Sequence, residues 1–290
     1  MRREDFFALA EKGVILLDGA TGSNLIKAGM PRGVSTEQWV LEHPRVLWQL
    51  QREYVEAGSQ IIYAPTFSAN RSSLRNFGME EQVERLNKEL VQICREGVGD
   101  SAYIAGDLTT TGRMEPQGDL TYDQLLDIYR EQAESLARAG VDLLVAETML
   151  NVDETMAVLD AAASVCDLPV MCSLTLEADG SALYGGNAVE AVTTLQEMGA
   201  CAVGLNCSVG PDQLEAVVAS MKRVAKVPVI TKPNAGMPVI NDKGEAVYDM
   251  DAARFAASMR RLIDAGAGVV GGCCGTTPEH IRELRRVIGR

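Results

Sequence analysis

A single (β/α)8 barrel of the TIM type is the fold class this sequence predicts, and three observations predict it. Helix-period segments ending at a small residue plus Gly hand over to short β-branched apolar runs, as in YVEAGSQIIYAP, LARAGVDLLVAET, QEMGACAVGLNC and LIDAGAGVVGGCC. That unit of helix, Gly C-cap and buried strand recurs along the whole chain. The strands are apolar on both faces, the pattern of a parallel sheet covered by helices. No GxGxxG follows the first strand, which removes the main support for a doubly wound dinucleotide fold. Eight regular units in 290 residues suit closure into one barrel.

In order, the apolar runs place strands at 14–18, 60–64, 102–106, 142–147, 169–174, 202–206, 228–232 and 268–272. The helical periodicity places helices at 43–57, 79–97, 121–139, 152–165, 188–198, 211–224, 250–265 and 277–288. Thr121, Asp249 and Thr277 stand where side-chain oxygens cap helix N-termini, and Pro211 and Pro278 stand in first turns. The Gly/Pro-containing stretches 29–36, 109–119, 178–187 and 234–248 fall after strands, on the face where a barrel builds its active site. Without a linker or low-complexity segment, residues 1–290 read as one domain.

Composition excludes several functions. Hydrophobic residues at 47% and charged residues at 23% are those of a globular protein. Forty acidic against 27 basic residues give −13, which opposes nucleic-acid binding. No apolar run approaches the roughly 20 residues of a membrane span. The start MRREDFFALAEKG places acids where an export signal needs its apolar stretch. A soluble, cytoplasmic protein is therefore expected, and its seven cysteines read as free thiols or metal ligands. The two histidines, His43 and His280, precede or open helices and read as capping or surface residues. A Ser-His-Asp mechanism has little to work with.

Barrel strand ends converge on one mouth, so they map the chemistry. Asp18, Thr66, Asp107, Glu147, Asn206, Cys207, Asn234, Cys273 and Cys274 all lie at or just beyond predicted strand ends. Cys207 follows strand six and the Cys273–Cys274 pair follows strand eight, which brings three thiols together. Adjacent residues on a regular strand point to opposite faces. Both cysteines of the pair can therefore ligate one ion only if the backbone leaves strand geometry, a freedom Gly271, Gly272 and Gly275 supply. Zinc is the matching ion: soft, tetrahedral and catalytic when three protein ligands leave a position open. Asn234, in KPNAG after strand seven, is placed to offer its side-chain oxygen to that position when substrate is absent; its alternative is a turn-former before Gly236. Cys94, Cys166, Cys172 and Cys201 read as small core residues. Three thiolates make zinc a poor activator of water and a good acceptor of a substrate thiol, so the expected chemistry is S-alkylation.

The segments DGATGSNL, EHP, EAGSQII, PTFSANR, AGDL, AETML, GLNCSVGP, KPNAGMP and GGCCGTTPEHI, in this order from about residue 13 to 289, resemble the homocysteine S-methyltransferase family. The likeness is greatest to the homocysteine-binding module of cobalamin-dependent methionine synthases. The resemblance implies Cys207, Cys273 and Cys274 as zinc ligands. It also implies an amino-acid subsite formed by Asp18, Gly19, Ala20 and Glu147, with Asn206 beside it. There a carboxylate would meet the substrate ammonium and the Gly19 and Ala20 amides its carboxylate. It implies homocysteine as substrate and, as methyl donor, a methylcobalamin carried by a partner corrinoid protein or a small S-methyl sulfonium. Betaine-using relatives carry an aromatic residue beside the strand-four carboxylate and a C-terminal arm, where this chain has Thr148 and stops at Arg290, so betaine is disfavoured. The alternatives are a zinc enzyme with another thiol acceptor or a demethylating role, and a non-catalytic zinc or thiol-amino-acid binding protein.

Overall fold

In the computed structural model, which describes residues 1–241 and 246–289, the barrel strands are β1 (Ile15–Leu16), β2 (Ile61–Tyr63), β3 (Tyr103–Thr109), β4 (Leu143–Met149), β5 (Val170–Leu174), β6 (Ala202–Cys207) and β7 (Val229–Pro233). A hairpin, β8 (Pro238–Ile240) and β9 (Ala246–Tyr248), intervenes before the last barrel strand, β10 (Ala267–Val270). The sheet runs β1-β10-β7-β6-β5-β4-β3-β2 with every neighbouring pair parallel. A parallel bridge between Leu17 and Ile61 joins its two edges, so the eight strands form the (β/α)8 barrel the sequence predicts.

Alternation along the strands divides the core in two. Val145, Ile61, Ile230 and Val269 point into the barrel, whereas Leu144, Ile62, Val229 and Val270 point outward beneath the helices. Both faces are buried, which is why the strands read as continuous apolar runs. The surrounding helices hold to the predicted periodicity: Pro44–Ala57, Val83–Val98, Tyr122–Ala139, Val152–Val165, Ala188–Glu197, Glu215–Val224, Ala252–Asp264 and Pro278–Ile288. Thr121 caps as expected, accepting from Gln124 N and completing a capping box. Thr277 forms a capping box with His280.

Five details depart from the sequence reading. Asp249 does not cap its helix; Asp251 does, its Oδ1 accepting from Arg254 N at 2.8 Å. The helix predicted from 79 begins at Val83 after a 3-10 turn, Glu80–Gln82. The long first loop contains two short helices, Gly22–Lys27 and Thr36–Glu42. An unpredicted helix, Arg3–Glu11, carries the fully buried Phe6 onto the barrel-interior cluster, and Arg3 binds the Gly199 and Ala200 carbonyls. The predicted loop 234–248 contains the β8–β9 hairpin, although its residues 242–245, like Arg290, lie outside the described residues. No helix among the described residues is long and apolar enough to cross a membrane.

Candidate active site

At the C-terminal mouth of the barrel lies a cavity of about 260 Å³ lined by Gly19, Glu147, Lys232 and the three strand-end cysteines, among others. The three Sγ atoms lie within 4.8 Å of one another. Cys207 ends β6 in a left-handed conformation, φ 61°, and Ser208 follows with φ 58°. Such strain in non-glycine residues collects at functional sites. Cys273 and Cys274 lie beyond the end of β10, on a turn sewn to both neighbouring strands. Gly272 N donates to Asp18 O at 3.0 Å, Cys273 N to Pro233 O at 2.8 Å, and Ala235 N to Cys274 O at 2.9 Å. Gly275 closes the turn with φ 82°, and any side chain there would strike the Tyr248 ring. The predicted departure from strand geometry is thus present, and it brings both sulfurs to Cys207.

Bonds from Cys207 and Cys273, with Tyr248 adding another, pull Cys274 down to about 3, while donating to Cys273 and Cys274 pushes Cys207 up. Three converging soft donors fit a thiophilic cation such as zinc. Asn234 is buried with its Nδ2 on Ser208 O at 3.0 Å, and its Oδ1 accepts no hydrogen bond among the described residues.

One wall of the cavity is acidic, lined by Asp107 and Glu147, with Asp18 buried beside them rather than on the cavity surface. Asp18, Asp107 and Glu147 are all buried around one ammonium, Lys232, whose Nζ lies 3.2 Å from Glu147 Oε1, 3.6 Å from Asp18 Oδ1 and 4.7 Å from the Tyr63 ring centroid. Asp18 Oδ2 accepts from Tyr63 N at 2.8 Å. Lys232 faces Asp18 Oδ1 and Glu147 Oε1 at ion-pair range, yet these atoms and Asp107 Oδ1 receive no directed hydrogen bond among the described residues. Burial lifts Asp18 to about 7 against the opposing pull of Lys232. Burial, then repulsion from Glu147, raises Asp107 well above the carboxylate range. Burial also raises Glu147, again against Lys232. Three carboxyl groups around one cation, raised toward their neutral forms by burial, are groups that a ligand ammonium would draw back to carboxylates.

Of the remaining predicted residues, Gly19 and Ala20 line the cavity, but the Ala20 amide donates to Thr276 Oγ1 at 3.0 Å. Asn206 is fully buried behind the wall, bonded to Thr148 and Ser173. Thr66 turns inward to bond the Asp107 backbone. Cys94, Cys172 and Cys201 are buried away from the cavity, with burial pushing Cys94 and Cys201 up to about 12. His280 accepts from Thr277 N and pairs with Met250 O, while His43 stacks on Trp39.

Lys232 is the site residue the sequence reading passed over. Its signal was present, since a lysine within a strand buried on both faces is rarely tolerated without a charged partner. Glu37 was also missed. It reaches the cavity rim from Thr36–Glu42 and joins two loops, accepting from Ser35 Oγ at 2.8 Å and Ser68 N at 3.0 Å.

Comparison with known proteins agrees with this architecture. The chain is 29% identical over 304 residues to methionine synthase of Mycobacterium leprae (strain TN), covering 99% of the chain and 25% of that protein. It is also 29% identical to methionine synthase of Mycobacterium tuberculosis (strain ATCC 25618 / H37Rv), again over 25% of that protein, so it spans about a quarter of these relatives' length. Among solved structures, the metallated form of the homocysteine methyltransferase MmuM from Escherichia coli superposes with TM-score 0.81 at 23% identity, over 96% of this chain and 98% of that one. The oxidised form superposes with TM-score 0.80 at 22% identity, over 94% and 95%. These likenesses show the barrel fold. The family model for homocysteine S-methyltransferase matches residues 15–288, and with nearly the whole chain matched, this protein belongs to the homocysteine S-methyltransferase family.

Proposed function

We propose that this chain transfers a methyl group to the sulfur of L-homocysteine, giving methionine. One observation carries the reading: a single cavity is lined both by buried carboxyl groups that share one lysine and by three converging cysteine sulfurs. Homocysteine has the complementary ends, an ammonium and a thiol separated by a short aliphatic chain. Glu147 and Asp18 would receive the ammonium in charge-assisted bonds, its charge joining that of Lys232 against the burial that favours their neutral forms, and the Gly19 backbone would face the substrate carboxylate. Because the Ala20 amide is already bonded to Thr276, Gly19 carries the larger part of that contact.

Cys207, Cys273 and Cys274 would hold a zinc ion, with Asn234 Oδ1 as a replaceable fourth donor. When bound, the ion would lower the pKa of the substrate thiol while leaving its sulfur nucleophilic. The protein's part is orientation: amino-acid contacts at the acidic wall aim the sulfur at the thiol cluster, and the closed barrel floor leaves the mouth as the side from which a donor approaches. The substrate sulfur forms its bond to the methyl carbon as the donor's bond to that carbon breaks with the electron pair left on the donor, and the thiol proton leaves to solvent. A methyl-corrinoid on a separate protein is the preferred donor, from the likeness to methionine synthases, with a small S-methyl sulfonium as the other candidate.

The test is incubation of zinc-loaded protein and homocysteine with methylcobalamin, S-methylmethionine or betaine, followed by assay of methionine. Product with methylcobalamin supports the corrinoid donor, and product with S-methylmethionine supports the sulfonium. No product with any of the three would make the chain a thiol-amino-acid binding protein.

A further inference from the structure

We propose that Asn206 is a positioning residue that locks the strand carrying Glu147 to the thiol cluster, so that the ammonium subsite and the sulfur subsite are held in one fixed relation. The inference rests on the function proposed above, since it concerns how the two ends of that cavity are coupled.

β4 does not run regularly into the mouth. Its pairing with β5 slips between Ala146 and Met149, and within that irregularity Thr148 has φ 57°. A β-branched residue is strained in this conformation. Bulges of this kind re-aim side chains beside active sites, and the side chain preceding this one is Glu147, which reaches the cavity. Something must hold the strained residue, and the side chain that does so comes from two strands away.

Asn206 on β6 is fully buried, and its amide is bonded on every side. Oδ1 accepts from Thr148 N at 2.9 Å and from Ser173 Oγ at 2.9 Å. Nδ2 donates to Thr148 Oγ1 at 2.7 Å and to Cys273 Sγ at 3.9 Å. The orientation of the amide is fixed, because the Thr148 N–H requires an acceptor. Two bonds therefore clamp the backbone and side chain of Thr148, a third passes through β5, and the fourth ends on a cysteine assigned to the metal. With two donors and two acceptor positions all engaged, the side chain has no capacity for a direct substrate contact. Its neighbour Cys207 supplies another sulfur from the next position on the same strand, so one dipeptide sets both ends of the site. The N–H aimed at Cys273 would also temper the charge of a thiolate there, as partners of metal ligands do.

The test uses Co2+ as probe metal in wild type, Asn206→Ala and Ser173→Ala, reading the thiolate-to-cobalt charge-transfer band and, separately, homocysteine affinity by titration. In Asn206→Ala the band is expected to shift and homocysteine affinity to fall about tenfold or more. Ser173→Ala, which removes one support of Oδ1, should move both readings in the same direction by less, and it keeps the proposal open to refutation if Asn206→Ala does not fold. A fall in homocysteine affinity with an unmoved band would make Asn206 a substrate contact and overturn the proposal, as would two unmoved readings in folded variants. Absence of any charge-transfer band in wild type would refute the metal assignment itself and this coupling with it, and is distinct from a wild-type band that the variants leave in place.

Discussion

Cys207, Cys273 and Cys274 are 66 residues and more apart in sequence or adjacent on one turn, yet their sulfurs share one 4.8 Å cluster. Replacing any one by Ser should remove most bound zinc, because a hydroxyl ligates zinc poorly at neutral pH. Metal analysis after desalting checks this, and one zinc per chain in all three variants would refute the site. Glu147→Gln should weaken homocysteine binding by about 1.5 to 3 kcal/mol, the worth of a hydrogen bond to a charged group, while leaving zinc affinity within about twofold. Calorimetry with homocysteine against a metal titration separates the two. Asn234→Ala should lower zinc affinity or admit water only when homocysteine is absent. X-ray absorption of the substrate-free protein reads the light ligand, and identical spectra would end that assignment.

At the scale of elements, the mouth is built by irregularity and the floor by regular packing. The bulge in β4, the left-handed end of β6 and the turn after β10 each bend a strand end so that Glu147, Cys207 and the Cys273–Cys274 pair converge. The helix Arg3–Glu11 works at the other end, where Phe6 packs among barrel-interior residues such as Ile15 and Met171. Phe6→Ala should destabilise the fold by about 3 to 5 kcal/mol, the usual cost of deleting a buried aromatic ring. Zinc and homocysteine affinity of the remaining folded protein should not change. Chemical denaturation paired with metal titration measures both, and a stability loss below about 1 kcal/mol would mean that the helix is docked without supporting the barrel.

The buried charge also sets a property of the molecule as a whole. Asp18 is lifted by burial to about 7 in the folded chain from 3.8, and Asp107 and Glu147 move in the same direction. A carboxyl with a raised native value contributes stability that is fully present below about pH 4 and is lost as pH rises through 7. The metal-free protein should therefore unfold at progressively lower temperature from pH 5 to pH 8. Homocysteine, by bringing an ammonium to the acidic wall, should protect more at pH 8 than at pH 5. Asp18→Asn should flatten the slope while its side-chain oxygen still accepts from Tyr63 N. A melting temperature that rises across this range would show that the carboxylates are compensated in the empty site.

The sequence by itself determined the barrel, because apolar strands alternating with Gly-ended helices leave few ways to bury both faces of each strand. It also determined the metal-ligand candidates, because strand ends of a barrel share one mouth whatever their separation along the chain. Tertiary structure decided what those rules cannot see. Lys232 became the counter-ion of Asp18 and Glu147 only when β7, β1 and β4 surrounded one cavity. Asn206, which the family resemblance puts beside the amino-acid subsite, has its amide turned to Thr148, Ser173 and Cys273. Asp251 rather than Asp249 caps its helix. Periodicity fixes which face a residue occupies, whereas charge pairing and strained backbone depend on neighbours two or three strands away, which local pattern does not encode.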